Sequence, residues 1–314
     1  MLNNNLFNPE FFEHASCNLC GADDTKTDIL FDADPNKMPK SKQDLINIYS
    51  SSSTNIFYER VLRCKRCGLI YVSPRPKPQL IRDGYSLAED KQYISQERAR
   101  FLTFKNSIKT LKRLRDNGRL LDIGAASGTF VKTAIEAGYD ACGVEPSAWM
   151  CEIAKKYYGV TILPATVEEM KFPDNSFDII TMWDVLEHVC DPMSTLKEAA
   201  RILRPGGLLL INYPRIDDVL ARIFGRKWWF LLSVHLYYFT PKTLSVYIER
   251  LGFEKLGHKA HLQMLEYAYL VERLSVYSAA LAKIARLPFI IPGFKKILIP
   301  YFASQYLMIA RKKL

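Results

Sequence analysis

Three groups of residues in this sequence have types and spacings that could do chemistry. Four cysteines fall in two close pairs, Cys17-Asn-Leu-Cys20-Gly21 and Cys64-Lys-Arg-Cys67-Gly68. One such pair is ambiguous with a redox couple. Two pairs, each followed by a glycine that lets backbone N–H groups turn towards the sulfurs, favour a tetrathiolate zinc site. A site closed by four sulfurs has no open position, so the expected metal is structural. The second group is Asp122-Ile-Gly124-Ala-Ala126-Ser-Gly128 with Glu145 further on. A glycine turn lets a ligand approach the backbone, a helix after it offers free N–H groups, and an acid about twenty residues later suits ribose hydroxyls. The third is Asp184-Val-Leu-Glu187-His188, joined by His235-Leu-Tyr-Tyr238-Phe239. Two carboxylates can hold a hard divalent cation, or Asp184 can contact a ligand while Glu187 and His188 brace the next loop. His235 suits a general base, or a hydrogen bond within its own loop.

The elements that must position these groups follow from the apolar pattern. Leu120, Leu121 and Ile123 read as a buried parallel strand, ended by the glycine turn. Strands are expected at 119–123, 140–145, 160–163, 177–182 and 207–213, and helices at 129–138, 147–158 and 192–203. Such alternation gives a parallel sheet with helices on both faces and a ligand at the carboxyl ends of the strands. Around that end the sequence places Asp122 to Gly128, Glu145, the segment 164–169 and Trp183-Asp184. Specificity for a second substrate is expected in 214–239, after the fifth strand, with a short helix at 217–224. Thr240-Pro241 should start a helix over 242–251. A sixth strand is expected at 252–261 and an antiparallel last strand at 304–311. This leaves 262–303 as an insertion with a helix near 272–286. Upstream, 34–55 reads as a loop, 69–72 as a strand, the prolines at 74, 76 and 78 as a stiff connector, and 80–114 as helical. The expected domains are a zinc-ribbon-like module with its linker over 1–78 and an α/β domain over 79–314.

The order strand, GxxxG turn, helix, strand, Glu resembles the cofactor half of the class I S-adenosylmethionine-dependent methyltransferases. Phe172 to Pro192 and Leu203 to Pro214 are similar to that family's fourth- and fifth-strand motifs. The resemblance covers 119–265 and the last ten residues. It implies a Rossmann-like sheet of seven strands and S-adenosylmethionine as cofactor. Asp122, Gly124, Ala126 and Gly128 would lie under its methionine part, Glu145 would hold the ribose, and Asp184 would contact cofactor or acceptor. Thr166 and Val167 would meet the adenine, although family members often carry an acid where this chain has Thr166. Tyr85 or Tyr93 could cover the cofactor, with core or surface packing the favoured alternative for either. Asp-x-x-Glu-His is similar to the Glu-x-x-Glu-His of magnesium-dependent ubiquinone O-methyltransferases. His235-x-x-Tyr238-Phe239 resembles a motif of sugar C-methyltransferases that also carry an N-terminal zinc module, where the histidine acts as base after a glutamate; this chain has Val234 there. The resemblance implies a small-molecule acceptor. It is expected to be a nucleotide- or lipid-linked saccharide of surface-glycan or natural-product synthesis, or else a quinone or other lipid at a membrane.

The chain has 314 residues, 48% of them apolar, and a net charge of +10. That allows a sizeable core. The positive charge suits nucleic acid, an anionic membrane surface or a phosphorylated small substrate. A non-enzymatic nucleic-acid binder is the alternative class, but the cysteine segment lacks the interleaved aromatics of a base-stacking platform, so no nucleic acid is expected. Seven cysteines and an N-terminus without a basic-then-apolar leader suit the cytoplasm. No apolar run reaches the roughly eighteen residues of a membrane span. The apolar, basic, proline-broken segment 287–302 is expected to form a helical lid, a dimer surface or a peripheral contact with the inner face of the membrane.

Overall fold

The computed structural model describes residues 7–49, 57–87, 89 and 91–314. Its centre is a seven-stranded sheet in the order Phe253–Ala260, Gln305–Lys312, Leu203–Pro214, Phe177–Trp183, Arg119–Ile123, Asp140–Val144, Ile162–Leu163. The last five are parallel to one another, and Gln305–Lys312 runs antiparallel to both its neighbours. This is the expected Rossmann-like order with an antiparallel last strand. Phe177–Trp183 is buried at every position, as a central strand covered on both faces must be. One face packs Ile180, Met182, Leu209 and Ile211; the other packs Ile179, Leu208, Leu210 and Ile309.

Local signals set the helix starts. Ser147 accepts from the Met150 N–H at 3.2 Å and Asp191, followed by Pro192, accepts from the Ser194 N–H at 3.0 Å. Thr240 caps Pro241–Arg250 as expected, accepting from Thr243 N–H at 3.1 Å.

Several expectations need correction. The stretch 80–114 is three helices, Pro78–Ser86, Lys91–Ser95 and Glu97–Lys112. Its two halves serve different cores: Leu80 and Ile81 pack with the cysteine region, while Ile108 and Leu111 pack on the sheet. The stretch 34–55 contains a helix, Lys42–Tyr49, that buries Leu45, Ile48 and Tyr49; residues 50–56 lie outside the described chain. The proline connector is no free spacer, because Arg75–Pro76 pairs with Phe12–Glu13. The insertion holds two helices, Tyr267–Tyr277 and Ala279–Ala285, broken at Ser278. They lie between strands Gln263–Glu266 and Leu298–Tyr301, which pair with each other.

The cysteine region has its own sheet, and its fourth strand comes from far along the chain. Thr27–Phe31, Val61–Cys64 and Ile70–Val72 are joined by Tyr237–Tyr238, which pairs antiparallel with Tyr71 and Ile70. The segment after the fifth parallel strand is thereby fastened to the N-terminal module.

Candidate functional site

At the carboxyl end of Arg119–Ile123 the turn has Gly124, Ala126 and Gly128 at φ of 70, 45 and 75°. The Gly124 and Ala125 N–H groups both donate to the Val144 carbonyl, at 2.9 and 3.0 Å. A Cβ on Gly124 would lie 2.5 Å from Val185 Cγ2, and one on Gly128 would lie 2.8 Å from Val160 Cγ2. Glycine is therefore needed here for the turn's conformation and for close packing of the protein against itself. Glu145 closes on this turn. Its Oε2 accepts from the Ala126 N–H at 3.0 Å and its Oε1 from the Ser147 N–H at 2.9 Å. Burial raises its pKa above the usual carboxylate range, and the two N–H groups oppose that rise. The sequence-predicted cradle is thus assembled, with a carboxylate poised beside the turn.

Asp122 lies beneath the turn. It is buried and accepts the Thr181 hydroxyl at 2.6 Å, and burial pushes its pKa up to about 8. Its carboxyl thus engages the interior of the sheet. Thr166 caps the short helix Val167–Met170, accepting from Glu169 N–H at 3.4 Å, and the Val167 side chain is buried.

Asp184 has a left-handed φ of 56°. Its Oδ1 accepts from the side-chain amides of Asn212 at 2.8 Å and Gln305 at 2.7 Å, while burial pushes its pKa up to about 6. Gln305 comes from the last strand, a partner that sequence reasoning missed. The groups that converge on one point are Glu187, His188 and His235, whose polar atoms lie within 4.8 Å of one another. Asp184, the other carboxylate considered for a cation, is not in this set. The amides that bind Asp184 turn it elsewhere.

In this cluster the His188 and His235 rings meet edge-on with centroids 4.6 Å apart. His235 Nδ1 is 2.8 Å from the Phe230 carbonyl, and His188 Nδ1 is 3.1 Å from the Val234 carbonyl and 2.8 Å from the Tyr85 hydroxyl. A carbonyl can only accept, so His235 Nδ1 carries the proton and its Nε2 keeps its lone pair; at His188 Nδ1 the nearer Tyr85 hydroxyl can donate or accept. Burial lowers the pKa of His188 to about 4 and that of His235 well below the ordinary histidine value. Glu187 is buried, among the described residues neither of its carboxyl oxygens has a hydrogen-bond partner, and burial raises its pKa far above the usual range. Its backbone carbonyl accepts from Leu236 N–H at 2.8 Å and Tyr237 N–H at 3.2 Å, which clamps the two histidine segments together. Tyr85, for which packing was the favoured expectation, is tied to His188 through its hydroxyl. Tyr93 stacks under the Arg100 guanidinium, 3.3 Å from its ring centroid.

The cysteines also come together. Cys17 Sγ lies 3.4 Å from Cys67 Sγ, and Cys20 Sγ lies 3.5 Å from Cys64 Sγ. Four sulfurs at about 2.3 Å from a tetrahedral zinc lie roughly 3.8 Å apart, so the cluster has the right size. The Gly21 and Gly68 N–H groups each donate at 2.8 Å to the carbonyl of the first cysteine of their pair, which closes two matching knuckles.

A parallel sheet with a glycine turn at its carboxyl edge and an acid on the adjoining strand defines an α/β fold that binds nucleoside-containing cofactors. Within that class the chain belongs to the Methyltransferase domain family, which it matches over residues 89–258. It is 32% identical over 145 residues to an uncharacterized protein of Methanocaldococcus jannaschii, covering 46% of this chain and 66% of that protein. It is 33% identical over 114 residues to the ubiquinone biosynthesis O-methyltransferase of a Bradyrhizobium strain, covering 35% of this chain and 44% of the relative. In both cases the chain spans less than two thirds of the relative's length. A solved SAM-dependent methyltransferase from Archaeoglobus fulgidus has the same fold, with a TM-score of 0.50 at 17% identity, covering 71% of this chain and all of that one.

Proposed function

We propose that this chain transfers the methyl group of S-adenosylmethionine to a small-molecule acceptor, a saccharide carried on a nucleotide or a lipid. The observation that carries the reading is Glu145, closed on the Ala126 N–H at 3.0 Å at the carboxyl edge of the sheet. A carboxylate there is ready to exchange backbone donors for the ribose hydroxyls. The Thr166 hydroxyl and the Val167 N–H, at the start of their helix, would face the adenine. Bound there, the cofactor's sulfonium supplies an electrophilic methyl group for in-line displacement.

The chain's part is alignment and proton removal. His235 is the base in this reading. Its Nδ1–H is held by the Phe230 carbonyl, and the Nε2 lone pair is left to take the acceptor's proton. The acceptor's proton would end on His235 Nε2, whose imidazolium would stand within 4.8 Å of Glu187 and His188. Cys17, Cys20, Cys64 and Cys67 would hold a structural zinc, and the module they staple shapes the acceptor side through Tyr237–Tyr238. The saccharide reading rests on this cysteine module joined to the His235-x-x-Tyr238-Phe239 segment.

A second reading, O-methylation of a quinone or other lipid, is favoured by the name of the Bradyrhizobium relative. Calorimetric titration of S-adenosylmethionine into wild type and Glu145→Ala tests the shared step. Binding that Glu145→Ala loses is expected, and no binding to wild type overturns both readings. Labelled methyl transfer to nucleotide sugars and polyprenyl-linked sugars, but not to quinols, supports the first reading; the reverse pattern transfers the assignment to the second.

A further inference from the structure

We propose that the insertion at 262–303 is a docking surface for an anionic lipid bilayer. Leu281, Ile284, Leu287, Ile290, Ile291 and Ile297 are between 44 and 88% exposed. They are six of the eighteen large exposed apolar side chains among the described residues, gathered into seventeen positions, so they form a patch rather than a scatter. The same stretch exposes Lys283, Arg286, Lys295 and Lys296, none of which joins an ion pair among the described residues. From Arg273 to Leu314 the chain has eight lysines and arginines and not one aspartate or glutamate.

The charge pattern decides the occupant. A second copy docking on the same patch would bring cations against cations with no acid to meet them. A bilayer of acidic phospholipid offers both complements at one depth, since aliphatic side chains enter the acyl boundary while lysines and arginines meet lipid phosphates. The elements are built to lie in that interface. The two helices have 11 and 7 residues, and among the described residues no helix is long and apolar enough to cross a membrane. Ser278, Pro288, Pro292 and Gly293 keep the segments short. Tyr267 holds the inner side, with its ring against Phe289 and Phe294 at 5.9 and 5.2 Å and its hydroxyl donating to Ala285 O at 3.0 Å, so the isoleucines stay outward.

The patch is moored to the cofactor end of the domain. Arg98 donates to Lys296 O at 3.3 Å and Met264 N–H donates to the Thr103 hydroxyl at 2.8 Å, both on the helix Glu97–Lys112. That helix begins beside the glycine turn, where Glu97 accepts the Thr129 hydroxyl at 3.4 Å. Docking would hold the site close to the lipid headgroups.

The surface stands independently of the methyl-transfer reading, and its test needs no turnover. Full-length protein is sedimented with phosphatidylcholine vesicles and with mixed phosphatidylcholine–phosphatidylglycerol vesicles, at low and high salt. S-adenosylmethionine binding and thermal melting are followed on the same samples. Binding to the mixed vesicles alone, weakened by salt, is expected. Ile290→Asp with Ile291→Asp should abolish it, and Lys295→Gln with Lys296→Gln should lower the partition roughly thirtyfold, all with melting unchanged. Failure of wild type to bind phosphatidylglycerol vesicles, or equal binding by the variants, overturns the proposal. A dimer that the Ile290→Asp/Ile291→Asp variant dissociates, without vesicle binding by wild type, assigns the patch to a second copy and overturns it as well.

Discussion

Ser233, two residues before His235, donates its hydroxyl to the buried Glu59 carboxylate at 2.9 Å. The Tyr49 hydroxyl donates to the Ser233 carbonyl, also at 2.9 Å. The N-terminal region thus supplies the groups that set the backbone beside His235. Burial raises the Glu59 pKa from the ordinary glutamate value to about 7, against the pull of its hydrogen bonds. A raised folded pKa means that the folded state holds the proton more tightly. The associated stability is complete below the unfolded value and is lost as pH rises towards 7. The loss is worth about 3 kcal/mol in total. Glu59→Gln keeps an acceptor for Ser233 and cannot ionise. Its melting temperature should match wild type near pH 5 and exceed it at pH 8; parallel curves across that range would contradict the buried-acid account.

The pairing of Tyr237–Tyr238 with Ile70–Val72 predicts what metal removal does. Cys64 ends the strand next to Ile70–Val72, so a zinc held by the four sulfurs would brace the same small sheet. Chelation, or Cys64→Ser, should raise amide exchange at Val72, whose N–H donates to the Leu236 carbonyl at 2.9 Å, and at Tyr238, paired with Ile70, by at least tenfold, equivalent to about 1.4 kcal/mol of local opening. Exchange in Phe177–Trp183 should be unchanged. Loss of protection across the large sheet as well would show that the module and the sheet unfold as one unit.

The large sheet was legible because its signals are local: apolar runs of strand length and a glycine turn. The site was legible only where it lies on those elements. Glu145 reaches the glycine turn at Ala126 because one strand–helix–strand unit carries both. The pairing of His188 with His235 spans forty-seven positions, and the Gln305 amide reaches Asp184 across 121. No spacing rule covers such distances. The helix Lys42–Tyr49 was hidden by the polar residues around it, and the break within 80–114 by two apolar faces that serve different cores.

Glu145 should matter for cofactor affinity far more than for folding. Its two backbone hydrogen bonds can be kept in part by Glu145→Gln, whereas the charge-assisted bonds to ribose hydroxyls cannot. We expect about 2 kcal/mol of lost affinity, roughly thirtyfold, with little change in melting without ligand. Calorimetry on the two proteins measures the first quantity and scanning calorimetry the second. A large drop in melting temperature with affinity retained would make Glu145 a turn-bracing residue.

The His235 environment makes a prediction about pH as well as rate. Burial lowers the pKa of His235, and the neighbouring His188 opposes its protonation further; His188 itself is brought down to about 4. Neither ring should carry charge near neutrality, so the acid limb of kcat/KM should lie well below pH 6.5, where an exposed histidine would place it. His235→Gln can keep a donor towards the Phe230 carbonyl but offers no basic nitrogen. It should lose a factor of about 10² to 10⁴ in kcat while S-adenosylmethionine affinity holds. Tyr85→Phe removes the hydroxyl at His188 Nδ1 and leaves His235 bonded to Phe230, so it should cost much less and leave the pH profile in place. If the Gln variant turned over at the wild-type rate, His235 would be a loop-bracing residue. If Tyr85→Phe were the more damaging change, the proton would leave the acceptor through His188 instead.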